Sequence, residues 1–119
     1  MSDSIPLQNN IIENEKTAIV LVFWRIKKGK EADFEKYWKE GERKEGLVRE
    51  RLSRHESSPS EWDTWAEVLD KPDATAYINV GIWKDIDSFK KAYPAKAEQL
   101  EFEAHPRVRV LLSPKWSRI

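Results

Sequence analysis

The stretch from Ala74 to Trp83 reads ATAYINVGIW and lies between Pro72-Asp73 and Lys84-Asp85. β-Branched and aromatic residues bounded by turn formers predict a strand. Successive side chains point to opposite faces, so Ala76, Ile78, Val80 and Ile82 share one side and are wholly apolar. Thr75, Tyr77, Asn79, Gly81 and Trp83 share the other. The first set suits a core packed by helices, and the second suits a lined cavity or a wet face. The expectation is therefore that Asn79 and Trp83 look away from the helices.

Upstream, Thr17 to Ile26 (TAIVLVFWRI) is apolar on both faces, which predicts a central strand covered twice. Lys27-Lys28-Gly29-Lys30 makes a turn, and a helix is expected from there to about Lys44, with Phe34, Tyr37, Trp38 and Gly41 as its buried stripe and Gly46 as its stop. A second strand is expected from Leu47 to about Ser57; neither of its alternating sets, Val48/Glu50/Leu52/Arg54 or Leu47/Arg49/Arg51/Ser53/His55, is cleanly apolar. Residues 58–74 form a polar insertion with Trp62 and Trp65 at helical spacing and Ser60 placed to cap a short helix. Residues 1–16 read as a polar arm ahead of a single domain over residues 17–119.

Downstream, Asp85 is a good N-cap for a helix with Ile86, Phe89 and Tyr93 on one stripe, broken by Pro94. A further helical piece is expected over Ala95 to Ala104, stopped by His105-Pro106, with His105 as a charge at its C-terminal end. In the last strand, Arg107 to Leu112, the expectation puts Val108, Val110 and Leu112 on the core and Arg107, Arg109 and Leu111 on the opposite side.

The resulting order, βαββαβ, predicts an α+β fold of the ferredoxin-like kind, a four-stranded antiparallel sheet with both helices on one face. The other face would then expose a sizeable apolar patch, which predicts a homodimer whose sheets face each other around a barrel-like interior, a dimeric α+β barrel.

The chain has 119 residues, enough for one domain that buries roughly two thirds of its surface. Twenty-one basic and 21 acidic residues cancel, which argues against a general electrostatic nucleic-acid binder. An RNA-recognition module shares the βαββαβ order, but ATAYINVGIW lacks the basic residue, glycine and spaced aromatics of its signature, so no nucleic-acid partner is expected. The absence of cysteine excludes thiol nucleophiles, thiolate metal sites and disulfides. With only two histidines no metal site is expected, and no phosphate-cradling glycine loop or nucleophile-elbow motif occurs. The longest apolar run, Ala18 to Trp24, is far short of the roughly 20 residues that span a bilayer. Without a membrane segment or a signal-peptide pattern, a cytoplasmic location is expected.

From about Ala18 to Leu112 the sequence resembles the antibiotic biosynthesis monooxygenase family. The likeness rests on the apolar first strand ending in Trp24-Arg25-Ile26, on Gly29, Phe34 and Trp38 around the first helix, and on Tyr77-Ile78-Asn79-Val80-Gly81-Ile82-Trp83-Lys84-Asp85 leading into Phe89. The resemblance implies a dimeric α+β barrel and a monooxygenase that oxidises phenolic or quinol substrates without a cofactor. It also implies that Asn79 and Trp83, at the family's spacing of an Asn four residues before the Trp, are catalytic. An aromatic hydroxyl used by some members six residues after that Trp falls on Phe89 here, which has none. The haem-degrading members fit less well, since their Asn and His positions fall on Trp24 and Tyr93.

On this reading Asn79 would hydrogen-bond a phenolate or enolate oxygen and Trp83 would form a stacking wall. Arg49, Arg51, Arg107 and Arg109 would share the cavity face and stabilise an anion. Tyr77, His55 as a base, and Trp24 complete the substrate-binding set. Structural roles compete with each: a barrel plug for Trp83, a backbone partner for Asn79, edge or interface ion pairs for the arginines, and a surface position for His55. The alternative function is a non-catalytic dimeric α+β barrel that binds a small hydrophobic ligand or serves as an interaction module.

Overall fold

A computed structural model describes residues 4–6, 16–56 and 72–118. The central pair is β2 (Ala18–Lys27) and β4 (Ala74–Trp83), antiparallel in an unbroken register from Ala18 opposite Trp83 to Lys27 opposite Ala74. β3 (Leu47–Arg54) flanks β4 and β5 (Glu103–Leu112) flanks β2, which gives one antiparallel sheet in the order β3-β4-β2-β5. With α1 (Glu31–Glu40) and α2 (Ile86–Ala92) this is the expected α+β, ferredoxin-like arrangement. A two-stranded antiparallel ribbon outside that plan joins β1 (Ser4–Pro6) to β6 (Trp116–Arg118). No helix among the described residues is long and apolar enough to cross a membrane. The helix expected around Ser60, Trp62 and Trp65 lies outside the described residues.

Asp85 caps α2 as its side chain chemistry requires, accepting from the Ser88 backbone N–H at 2.8 Å and the Ser88 hydroxyl at 2.7 Å. α1 ends at Glu40 rather than near Lys44, because Gly41 takes an extended conformation (φ −64°, ψ 142°). Of its expected stripe, Phe34 is fully buried and Trp38 half-buried, while Tyr37 and Gly41 are exposed. Gly46 instead serves the turn into β3 at φ +89°, and a Cβ there would strike the Ser88 side chain at 2.5 Å.

The alternation in β4 is as expected, but its two faces are exchanged. Thr75, Tyr77, Asn79, Gly81 and Trp83 lie beside Ile26, Trp24, Val22, Val20 and Ala18, and this is the face the helices cover. Phe34 packs 4.8 Å from Trp24 and 4.9 Å from Tyr77, and Phe89 packs edge-on 5.5 Å from Trp83. Burial of each such side chain stabilises the fold by roughly 1.5–3 kcal/mol. Tyr77 tolerates the core because its hydroxyl donates to Glu35 Oε2 at 2.7 Å. β5 is exchanged in the same way. Arg109 and Leu111 stand beside Val22 and Val20 on the helix side, whereas Val108, Val110 and Leu112 stand beside Phe23, Leu21 and Ile19 on the helix-free side.

The helix expected over Ala95 to Ala104 does not form. Tyr93, held extended before Pro94, ends α2, and Glu103 organises the chain that follows. The Glu103 backbone N–H donates to the Leu100 carbonyl, its carboxylate accepts from the Leu100 N–H at 2.7 Å, and its carbonyl accepts from Gln99. β5 consequently begins at Glu103 and passes through His105 and Pro106, which an edge strand can accommodate. His105 is therefore a strand residue, with Nε2 3.0 Å from Asp73 Oδ2.

Candidate functional site

A pocket of about 260 Å³ lies between the sheet and the helices, inside a single subunit. Asn79 and Trp83, expected to line a hollow between two facing sheets, instead line this one beneath α1 and α2. Val20, Val22 and Asn79 form its floor, and Trp24 and Trp83 are its end walls. Tyr37 and Trp38 reach it from α1, Phe89 from α2 and Tyr93 from just beyond α2. Arg107 and Arg109 enter from β5 and Glu50 from β3, while the exposed Gly41, Glu42 and Lys44 mark its rim.

Asn79 is buried (9% exposed), and its Nδ2 donates to Glu50 Oε2 at 3.3 Å. Among the described residues its Oδ1 has no hydrogen-bond partner, and neither has Nε1 of the buried Trp24. A buried polar atom left without a partner costs about 1–3 kcal/mol, so these two atoms mark where the pocket is chemically incomplete. With its amide nitrogen turned to Glu50, Asn79 offers the pocket an acceptor. A bare phenolate oxygen, the partner anticipated from sequence, cannot use that end.

The two pocket arginines differ. Arg107 lays its guanidinium 4.3 Å above the Trp24 ring and holds Glu103 through two hydrogen bonds, Nη2 to Oε2 at 2.8 Å and Nε to Oε1 at 3.1 Å. Its charge is therefore neutralised within the fold. Arg109 donates to the Pro94 carbonyl at 2.7 Å and lies 5.9 Å from the ring centres of Phe89 and Tyr93, with no carboxylate ion pair among the described residues. Burial and the neighbouring Arg107 charge hold its pKa below the ordinary guanidinium value. Guanidinium groups can occupy this face because their flat surfaces cover aromatic rings while their edges find oxygen partners.

Trp83 is held edge-on against Phe89 and Tyr93, at 5.5 and 6.0 Å. It also lies across Gly81, where a Cβ would stand 3.0 Å from the indole Nε1. Tyr93 brings a phenol to the pocket, its pKa raised by burial and then by the Glu50 charge.

The structure thus brings Asn79, Trp83, Trp24, Arg107 and Arg109 together around one pocket. Tyr77 lies beside that group without lining it, its hydroxyl committed to Glu35. Arg49 and Arg51 stand opposite Ile82 and Val80, on the helix-free face of the edge strand, and do not line the pocket. The expected single cavity face carrying all four arginines is therefore split. His55 follows β3, donates its backbone N–H to the Ala76 carbonyl at 2.9 Å, and is likewise outside the pocket. Among the described residues no group of three His, Cys, Asp or Glu side chains is placed to hold a metal ion.

Sequence reasoning missed Glu50 and Tyr93 as site residues. Glu50 alternates with Leu52, whose partner is Asn79, so the second strand's mixed pattern held the signal once strand pairing was known. Tyr93 continues the α2 stripe of Ile86 and Phe89, which is visible in the sequence. Comparison of the chain with family models, curated proteins and solved structures gave no match.

Proposed function

We propose that this protein is a monooxygenase of the antibiotic biosynthesis monooxygenase kind, acting on a small phenolic or quinol ring held between its sheet and helices. The observation that carries the reading is an aromatic pocket whose lining residues Trp24 and Asn79 each hold a buried polar atom, Nε1 and Oδ1, without a partner among the described residues. A ring hydroxyl suits either, as acceptor or as donor. Trp83, Phe89 and Tyr93 offer the apolar walls against which a planar substrate stacks.

In the reaction, the electron-rich ring loses its hydroxyl proton and reduces dioxygen directly. One oxygen atom enters the ring carbon, and the other leaves as water with two hydrogens taken from the substrate. Arg109, whose guanidinium lacks a carboxylate among the described residues, stabilises the negative charge that develops. No cofactor takes part, because the substrate supplies the electrons.

A homodimer belongs to the same reading. The sheet face that neither helix covers carries Ile19, Leu21, Phe23, Ile78, Val80 and Val110, with Val108 and Leu112 more than two-fifths exposed. A second copy laid on that face would remove the patch from water.

The test is oxygen uptake with a panel of one- and two-ring phenols and quinols, for the native chain and for Asn79→Ala. Uptake tied to substrate and reduced at least tenfold in the variant is expected. Ligand-dependent stabilisation without oxygen uptake would overturn the enzymatic reading in favour of a binding protein.

A further inference from the structure

The polarity of Asn79 is set by its neighbour on the edge strand. An asparagine amide can present either its carbonyl or its NH₂ to a ligand, and the choice depends on what the other end faces. Here the other end faces Glu50, whose carboxylate accepts, so the NH₂ is drawn to it at 3.3 Å and the carbonyl of this pocket-lining residue is left without a partner among the described residues. Register places this pair reproducibly. Glu50 lies opposite Gly81, and Leu52 lies opposite Asn79, so Glu50 sits diagonally across from Asn79 on the same sheet face. Gly81 has no side chain to stand between them.

We infer that Glu50 is a specificity-determining residue: it locks Asn79 as a hydrogen-bond acceptor, so that the pocket selects ligands presenting a neutral hydroxyl over those whose oxygen carries no hydrogen. The inference rests on the reading of the pocket as a site for hydroxylated aromatic rings and adds which form of the oxygen is recognised. Recognition of the neutral hydroxyl precedes the ionisation that the oxidation requires. Trp24, on the strand next to Asn79 and one diagonal away on the same sheet face, provides a complementary donor. Glu50 is exposed apart from this contact, which makes it replaceable without disturbing the core.

The experiment is calorimetric titration of the full chain with 2-naphthol and with 2-methoxynaphthalene, which keeps the oxygen as an acceptor and removes its hydrogen. The native protein is expected to bind the naphthol about tenfold more tightly, the effect of leaving one buried acceptor unsatisfied. In Glu50→Gln the new amide can face Asn79 with either end, so Asn79 is free to turn over and offer its NH₂ to the ether. The preference is then expected to fall below about threefold. A native ratio near one overturns the inference. So does a tenfold preference that persists in Glu50→Gln, which would show that the methyl group is excluded by its size. Binding of neither compound overturns the functional reading together with the inference, whereas binding with the wrong selectivity overturns the inference alone.

Discussion

Tyr77 ties the sheet to the first helix: its ring is buried against Phe34 at 4.9 Å and its hydroxyl donates to Glu35 Oε2 at 2.7 Å. Tyr77→Phe removes that bond while preserving the ring, and should lower unfolding stability by about 1–2 kcal/mol in denaturant titrations. Burial, then the hydrogen bond and charge of Glu35, push the Tyr77 pKa above its ordinary value of 10.0. The folded chain therefore keeps a proton that the unfolded chain releases. The stabilisation is fully present below about pH 10 and is lost as pH rises beyond it. Denaturant titrations between pH 8 and roughly pH 11 should show stability falling at the alkaline end. The fall should be smaller in Tyr77→Phe, with a remainder from Tyr93, whose pKa is shifted the same way.

The Arg107–Glu103 pair is largely sealed from water, with the carboxylate side chain 0% and the guanidinium side chain 13% exposed. Arg107→Met should cost about 3–5 kcal/mol, because among the described residues it leaves a buried carboxylate with only the Leu100 N–H as a partner. Adding Glu103→Leu should recover much of that loss, since two apolar groups of similar size remove the stranded charge. Failure of the double variant to recover would show that Glu103 matters more through its hold on the Leu100 turn.

Gly81 gives Trp83 its place. In Gly81→Ala the new methyl carbon would start 3.0 Å from the indole Nε1, so the ring that walls the pocket must give way. A stability cost of about 1–3 kcal/mol is expected, together with altered tryptophan fluorescence and at least a tenfold loss of 2-naphthol affinity. Unchanged fluorescence and affinity would show that the wall can give way elsewhere.

Val108 and Leu112 are 48% and 42% exposed on the helix-free sheet face. Sedimentation of the native chain should show a dimer, and Val108→Glu with Leu112→Glu should show a monomer of unchanged secondary structure. A native monomer at micromolar concentration would remove the dimer from the proposal while leaving the pocket intact, because that pocket is built within one subunit.

Much of this arrangement was legible residue by residue. The run from Ala74 to Trp83 is a strand with the predicted limits, Asp85 caps the helix that follows, and βαββαβ leads to the observed sheet. Period two also placed Asn79 and Trp83 on a common face, and Arg107 with Arg109 on another common face. The segment after Pro94 was less legible, because Glu103 bonds to Gln99, Leu100 and Arg107 at the three- and four-residue separations that a helix also uses, yet does so from a turn and the strand that follows it.

The amino-acid order alone determined which side chains keep company along each strand, because alternation is a property of the local backbone. Only the tertiary structure decided which of the two faces the helices cover. Both faces of the central strands are apolar enough to be buried, and the choice depends on partners far away in the chain: Glu35 for the Tyr77 hydroxyl and Glu50 for the Asn79 amide. Once those polar tips are satisfied from other elements, the face that looked wetter in the sequence becomes the interior and holds the pocket.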